Sequence, residues 1–420
     1  AAYGAGYRVS NAGDVNGDGF DDVLIADAAS GAQAYIVFGK PGLSKVELSA
    51  LTNPANTLGF LINGLDPTPV GTYWGAYNIA GGADINGDGL SDFFVSGMSL
   101  QNTATQYGYV LYGQTSGAPV VASAITSSQG FTVVPNVMAQ GGGDSMFNSA
   151  VVTPSGSSDS SVTQQVDFLG DINGDGLEDY AVTIPGANEA YVLLGQSSSG
   201  NVKAPAPTVQ PSNGFFINGM VPGGIGGGGD VNGDGYDDIV ISMNAPIITN
   251  NTAYVLFGKA NIANANVNVS TLSAAGNGNG FAINGITSTG SPKVDLIGDM
   301  NGDGLADILV QTNAPSGTNL YQSFIVWGKT DSSAVNLSTL SSGASTQGFM
   351  ITGVSGSGDV NAIGDFNGDG LADVVVGTTV LFGKAYTGTV VESAIAGSNG
   401  FKILSQSNAT TLYYAGTGDI

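Results

Sequence analysis

Apolar residues in this chain occur in short segments, separated by turns rich in glycine, aspartate and asparagine. One recurring segment ends in an apolar or aromatic residue before glycine, as in Ala34–Gly39 and Ala253–Gly258. Another begins with Gly-Phe, as in Gly59–Gly64 and Gly280–Gly285. Short runs rich in Val, Ile, Phe and Tyr that lie between turn residues predict β-strands. No stretch shows the apolar spacing of an amphipathic helix, so the sequence predicts an all-β protein.

A nine-residue loop of the form D-x-N-G-D-G-x-x-D occurs six times, and its first copy spans residues 14–22. One apolar segment precedes each copy, another follows it, and the two recurring segments come next. Each unit is therefore expected to hold four short antiparallel strands, which is typical of a β-propeller blade. Apolar residues on both faces fit this fold, because every blade packs between two neighbours. A flat solenoid is the alternative architecture.

The repeat places residues 1–420 in a single β-propeller domain of six complete four-stranded blades and the start of a seventh. We predict that the blades begin near residues 1, 75, 163, 222, 291 and 357, and the partial seventh near residue 411. Asp419 aligns with Asp14, and three interpretations follow. The polypeptide continues into a seventh blade, or the ring closes at six with residues 411–420 as an added strand, or another chain supplies the missing strands. An open propeller exposes strand edges, so assembly through the end near Ile420 is one expected interaction.

Side-chain oxygens at loop positions one, three, five and nine suit a hard cation such as Ca²⁺, which binds six to eight oxygen ligands. The glycine at position six permits the sharp turn that brings position nine back to the ion. We expect the position-seven carbonyl to complete the set, with its side chain pointing into the blade. The loops therefore predict about six structural Ca²⁺ sites. The predicted ligands are Asp14, Asn16, Asp18, Phe20, Asp22; Asp84, Asn86, Asp88, Leu90, Asp92; Asp171, Asn173, Asp175, Leu177, Asp179; Asp230, Asn232, Asp234, Tyr236, Asp238; Asp299, Asn301, Asp303, Leu305, Asp307; and Asp365, Asn367, Asp369, Leu371, Asp373.

The loop pattern has two other interpretations. Asp, Asn and Gly dominate tight turns for local reasons, so the loops could be plain Asx turns between strands. Three carboxylates within nine residues would, however, repel one another without a cation between them. A helix–loop–helix calcium site is rejected, because it requires a twelve-residue loop ending in glutamate and flanking helices. Here β-rich segments such as residues 22–26 follow position nine.

The loop followed by a β-rich strand resembles the FG-GAP repeat of the integrin α-chain propeller and its bacterial relatives. The Phe-Gly of that repeat is echoed by Tyr3-Gly4 and Trp74-Gly75, and its Gly-Ala-Pro by residues 244–246 and 313–315. The resemblance covers essentially the whole chain and implies seven blades, a role in adhesion, and ligand binding on the face opposite the cation loops. Tyr73 and Trp74 are then candidates for that face, in a connection between blades, as are residues 249–252 and 316–321.

Acidic residues outnumber basic ones by 33 to 9, for a net charge of −24. This balance argues against nucleic acid as a partner, since that requires clustered Lys and Arg, and against anionic lipid. No apolar run is long enough for membrane insertion. The chain has no His and no Cys, which removes the commonest catalytic base, every Cys nucleophile and all His-containing triads, so we predict that it is not an enzyme.

These features together predict a calcium-stabilised, extracellular or cell-surface propeller for adhesion, protein binding or surface assembly. Ca²⁺ loops of millimolar affinity suit the calcium concentrations outside cells. The expected partner is a protein or glycan on the face opposite the loops, and the alternative function is a carbohydrate-binding, lectin-like propeller. An enzyme acting on polysaccharide is a third interpretation, disfavoured by the absence of His. The largest insertion, from about residue 135 to 165, is either a binding loop or a passive connection.

Overall fold

The computed structural model describes residues 5–27, 33–41, 45–65, 73–99, 108–133, 166–184, 189–196, 214–218, 222–243, 251–262, 267–273, 278–286, 292–312, 321–340, 342, 345–354, 360–376 and 379–402. In these residues the chain forms six small, mainly antiparallel sheets, arranged as the six blades of a β-propeller. The predicted all-β propeller fold is therefore confirmed. None of the described helices is long and apolar enough to cross a bilayer. The partial seventh blade predicted from residue 411 lies outside the described residues.

Four consecutive strands form the antiparallel part of each blade, and the bounds of the first three blades are as follows. Blade 1 holds β1 (Ala5–Gly13), β2 (Asp22–Asp27), β3 (Gln33–Val37) and β4 (Gly59–Asn63). Blade 2 holds β5 (Tyr73–Ala83), β6 (Asp92–Ser99), β7 (Gly108–Leu111) and β9 (Gly130–Val133), and the intervening β8 is Val120–Val121. Blade 3 holds β10 (Val166–Gly170), β11 (Asp179–Ile184), β12 (Glu189–Leu193) and β13 (Gly214–Asn218).

The remaining three blades repeat this order. Blade 4 holds β14 (Pro222–Gly226), β15 (Ile239–Met243), β16 (Asn251–Leu256) and β18 (Gly280–Ile286), with β17 at Val267–Asn268. Blade 5 holds β19 (Lys293–Leu296), β20 (Ile308–Thr312), β21 (Tyr321–Val326) and β23 (Gly348–Val354), with β22 at Val335–Asn336. Blade 6 holds β24 (Val360–Ala362), β25 (Val374–Val376), β26 (Thr379–Leu381) and β28 (Gly400–Lys402), with β27 at Gly388–Val391.

Within the described residues, four of the six sheets have a fifth strand that the sequence did not predict. β8, β17, β22 and β27 each leave their own blade and pair in parallel with the fourth strand of the preceding blade, as in the pairing of Ile62 with Val120. Three of these strands are only two residues long, which is too short for a recognisable apolar period. Each is followed by a 3-10 helix: Ala122–Ala124, Val269–Ser273, Leu337–Thr339 and Glu392–Ala394. Two further 3-10 helices span Leu48–Thr52 and Gly397–Asn399.

The hydrophobic core lies between the blades. One cluster of buried side chains joins each consecutive pair of blades from 1 to 6, as where Phe60 of blade 1 meets Phe93 of blade 2 with ring centroids 6.2 Å apart. Backbone hydrogen bonds between loops add to this contact. The position-eight N–H of each loop from blade 2 to blade 6 donates to the position-one carbonyl of the preceding blade, as from Ser91 to Asp14 at 2.9 Å. The repeated loops are therefore part of the joint between blades.

Candidate metal centre: the six aspartate loops

The position-one aspartate of each loop organises the turn. In the first loop its carboxylate accepts hydrogen bonds from the backbone N–H groups of Gly17, Asp18 and Gly19, at 2.7, 3.0 and 2.8 Å. The same three bonds recur in the other five copies. Gly17 and Gly19 have φ values of 77° and 88°, which only glycine adopts readily, and this explains the two fixed glycines of the motif. The local turn chemistry is that of an Asx turn.

Position five lies at the solvent-facing tip of the loop, whereas the position-three asparagine is less exposed in the first five loops and is buried in the third and fourth. In the third loop Nδ2 of Asn173 donates to Oδ2 of Asp175 at 3.0 Å, and the Asp175 N–H donates to Oδ1 of Asn173 at 2.8 Å. Oδ1 of Asp175 also accepts the position-seven N–H of Leu177 at 3.0 Å. These side chains are held close together by one another and by the backbone, and the position-five carboxylate keeps access to solvent.

Position nine has a different environment, although it is also an aspartate. Asp22 is only 1% exposed, and its two oxygens accept the N–H groups of Val15 and Gly39 at 2.9 and 2.8 Å. The carboxylate thus joins the start of the loop to the glycine that follows the third strand. All six copies repeat this arrangement, which we name the aspartate clasp. The sequence carries a signal for it, since a glycine follows every third strand, but the sequence alone does not show that this glycine bonds to position nine.

Burial controls the acidity of the clasp. Desolvation raises the pKa of Asp22 to about 7, while the backbone N–H groups lower it and the charges of Asp18 and Asp14 raise it. Desolvation likewise raises the pKa of Asp92 and Asp238 to about 8. The first, fifth and ninth carboxylates therefore act on one another electrostatically in the same loop. The ion pairs of the described residues join Lys45 to Glu47, Lys329 to Asp331 and Lys402 to Glu392, so none of them neutralises a loop carboxylate.

Phe20 of the first loop is 41% exposed, and in blades 2 to 6 the position-seven side chain also does not point into its own blade, which corrects the prediction. It lies against the position-four glycine of the preceding blade: a Cβ on Gly17 would be 2.8 Å from Cδ2 of Leu90, and one on Gly87 would be 2.7 Å from Cδ2 of Leu177. The cause is the hydrogen bond from position eight to the preceding loop, which brings position seven onto that loop. Position seven therefore couples one loop to the next.

The donor chemistry of the loops fits Ca²⁺, since each loop offers three carboxylates, one amide oxygen and a backbone carbonyl within nine residues. The side-chain positions fit it less fully: no group of three or more Asp, Glu, His or Cys in the described residues is gathered around a common point. All three carboxylates accept hydrogen bonds from backbone N–H groups, with lone pairs remaining on their oxygens. A cation would have to draw the position-three and position-five side chains toward positions one and nine.

Other candidate residues from the sequence have mixed outcomes. Tyr73 and Trp74 lie in the first strand of blade 2 and not in a connection between blades, because that strand extends to Tyr73. Residues 249–250 and 316–320, and the insertion from 135 to 165, lie outside the described residues. Two carboxylates that the sequence did not single out, Asp167 and Asp295, lie on the first strands of blades 3 and 5. Burial raises the pKa of Asp167 well above its usual range and that of Asp295 to about 6.

No family model matches this chain, and no curated protein matches it. Among solved structures, the chain is similar to AofleA from Arthrobotrys oligospora, with 9% identity, a TM-score of 0.39, and coverage of 91% of this chain and 82% of that chain. It is also similar to a triple arginine-to-alanine mutant of AofleA, with 12% identity, a TM-score of 0.26, and coverage of 79% and 87%. Likenesses this weak do not identify a shared function.

Proposed function

We propose that this propeller is a calcium-stabilised binding module that recognises a protein partner outside the cell. The observation that carries the proposal is the set of six loops. In five of the six, the position-nine pKa is raised in part by the charges of positions one and five, and in the sixth by that of position five. With no Lys or Arg paired to these groups in the described ion pairs, a divalent cation is the natural counter-charge.

The residues that would hold each ion are the aspartates and asparagine at positions one, three, five and nine, with the carbonyl of position seven. A bound Ca²⁺ would supply positive charge at the loop tip. The chain itself already pre-forms the turn, because position one holds three N–H groups and position nine holds two. A stable turn reduces the conformational entropy lost on binding, which favours affinity.

We propose partner binding and not catalysis because the sequence contains neither His nor Cys. The six clasp aspartates are engaged in structural hydrogen bonds. A rigid ring of blades presents many connections on the face opposite the loops, and such a surface suits partner binding. Adhesion or surface assembly is the role that this arrangement favours.

The calcium part is tested by thermal unfolding of the whole chain in millimolar Ca²⁺ and in excess chelator. At about ten to a hundred times its Kd, each site adds roughly 1.4–2.7 kcal/mol, so chelation should lower the Tm clearly. Asp234→Asn at position five should reduce the calcium-dependent gain by about one site's share and change little in chelator. Asp331→Asn, at an exposed aspartate outside the loops, is the matched control. An identical Tm with and without Ca²⁺ would reject the proposal.

The partner class is tested separately, with a glycan array probed in millimolar Ca²⁺ and with affinity capture from extracellular protein mixtures followed by binding measurements on purified candidates. A protein that binds at micromolar affinity or better supports the proposal. Selective binding to one glycan class, with no protein partner, would favour the carbohydrate-binding alternative instead.

A further inference from the structure

Blade 6 carries an exposed aromatic patch on the face that points away from blade 5. Phe366 is 59% exposed and Phe401 is 38% exposed. The Phe401 ring lies 5.7 Å from the Phe366 ring and 6.0 Å from the Phe382 ring, measured between centroids. We call Phe366, Phe382 and Phe401 the blade-6 patch. Adjoining aromatic side chains that are exposed at a protein surface are typical of an interaction site.

The same positions are buried in the first five blades. Phe366 occupies loop position two, where the other loops have side chains that are at most 3% exposed: Val15, Ile85, Ile172, Val231 and Met300. Phe401 occupies the fourth strand, where the other blades have phenylalanines that are at most 4% exposed: Phe60, Phe131, Phe215, Phe281 and Phe349. In each of those blades the next blade covers these side chains. Phe366 and Phe401 of the blade-6 patch are therefore exposed at positions that form the interface with the next blade elsewhere in the fold.

The loop of blade 6 shows the same open interface. A Cβ on the position-four glycine of the other five loops would contact the position-seven side chain of the next blade, whereas one on Gly368 would meet nothing within 4 Å. Gly364 also meets nothing within 4 Å, whereas its equivalent Gly170 would meet Asp237 of the next blade. Blade 6 therefore leaves open the space that the loop of the next blade fills at the other junctions.

The first strands of neighbouring blades approach each other closely, and this contact restricts which segment could pack against the open face of blade 6. At the junction of blades 1 and 2, a Cβ on Gly81 would lie 2.8 Å from Cα of Ala12, and at that of blades 3 and 4 one on Gly227 would lie 2.6 Å from Cα of Leu169. Gly228 also donates its N–H to the Leu169 carbonyl at 2.8 Å. At these two junctions the residue three positions before the motif aspartate of the entering strand is glycine, which permits the close approach.

All five junctions obey a small-residue rule. Each junction pairs two residues: one lies two positions before the motif aspartate of the first blade, and the other lies three positions before the motif aspartate of the next blade. At least one member of every pair is Gly or Ala. They are Ala12 with Gly81, Gly82 with Phe168, Leu169 with Gly227, Gly228 with Leu296, and Ile297 with Ala362. On blade 6 the corresponding residue is Ile363, which is large and only partly buried, so its partner must be small.

We propose that residues 413–420 pack against blade 6 as the first strand of a further blade. Asp419 is the motif aspartate of this segment, so Gly416 is the residue three before it and pairs with Ile363. The Thr417 N–H then donates to the Ile363 carbonyl, as Gly228 does to Leu169. Blade 1 of a second copy is the rival occupant, but it would place Asn11 against Ile363, a pair without a small member.

Hydrogen exchange of the full chain tests the contact directly. The amides of residues 413–420, Thr417 above all, should exchange more slowly than in the free peptide of the same sequence. Gly416→Phe should remove that protection and lower the Tm. Adding Ile363→Gly, which reproduces the Gly82 and Phe168 pair, should restore both. Ala409→Phe, a small-to-large change outside the segment, is the matched control and should leave protection of residues 413–420 unchanged.

Two outcomes would overturn the proposal. Exchange of residues 413–420 at the rate of the free peptide would show that the segment does not pack on blade 6. A concentration-dependent dimer in sedimentation, abolished by Phe366→Asp and indifferent to Gly416→Phe, would assign the blade-6 patch to a second copy. A monomer whose Gly416→Phe defect is rescued by Ile363→Gly supports the proposal, because a merely structural loss at Gly416 would not be repaired at blade 6.

Discussion

Two ends of the same nine-residue loop use the same side chain in opposite ways. Asp234, at position five, lies at the exposed tip, whereas Asp238, at position nine, is fully buried four residues later. The tip residue is joined to Asn232 and Tyr236 of its own loop, whereas the clasp residue joins the loop to the end of the third strand. The difference teaches that the motif combines a solvent-accessible carboxylate at its tip with a structural hydrogen-bond acceptor at its base.

The largest expected effect comes from removing the clasp. Asp238→Ala leaves the N–H groups of Val231 and Gly258 without their acceptor, at donor–acceptor distances that are now 2.8 Å each. Two buried donors without partners should cost about 2–5 kcal/mol of unfolding free energy, measured by denaturant unfolding in chelator. Asp238→Asn retains one acceptor oxygen and should lose less. If Asp238→Ala is destabilising only when Ca²⁺ is present, position nine is purely a ligand and the distinction between tip and base fails.

A smaller effect should separate the inner junctions from the open face of blade 6. Gly233 and Gly368 both occupy position four, with φ values of 79° and 74°. Ala at either site bears the left-handed backbone penalty of about 1–2 kcal/mol. At Gly233 the new Cβ would also lie 2.9 Å from Cδ2 of Leu305, and overpacking adds about 1 kcal/mol or more. Denaturant unfolding should therefore show a larger loss of unfolding free energy for Gly233→Ala than for Gly368→Ala. Equal losses would contradict the open position on blade 6.

Much of this architecture could be predicted from the sequence, because it depends on local pattern. The loop fixes where the first strand ends and the second begins, and the residues before Gly39 and after Gly59 mark the third and fourth. The parallel fifth strands could not be predicted, since pairs such as Val120–Val121 gain meaning only from the preceding blade. Position two of the loop illustrates the same limit. Phe366 and Met300 are both apolar in the sequence, and only their neighbours in space decide that one is exposed and the other buried.

The candidate metal centre, too, could be predicted from the sequence only in part. Sequence spacing identifies the oxygen donors, because coordination chemistry depends on residue type and order. It cannot distinguish a ligand from a clasp at position nine, since both require a carboxylate there. The distinction rests on the N–H of Gly39, which is seventeen residues from Asp22 along the chain and 2.8 Å from it in space. Pairwise contacts of this kind come from strand pairing, and no local pattern specifies them.

The smallest expected effect concerns an aspartate that belongs to neither class. Asp331 is exposed and lies outside the loops, and hydrogen bonds from the Lys329 ammonium and from Ser333 hold its pKa well below its usual range. A carboxyl whose pKa is lowered by folding stabilises the native state above its unfolded pKa of about 4, and this contribution is lost as pH falls below that value. Because the Asp331 side chain is 69% exposed, Asp331→Asn should cost less than about 1 kcal/mol at pH 7, and the difference from the unmodified chain should shrink in acid. Unfolding curves at several pH values measure it, and 1 M salt should weaken it further. A loss at Asp331 as large as that at Asp238 would show that burial does not set the contribution of aspartates in this fold.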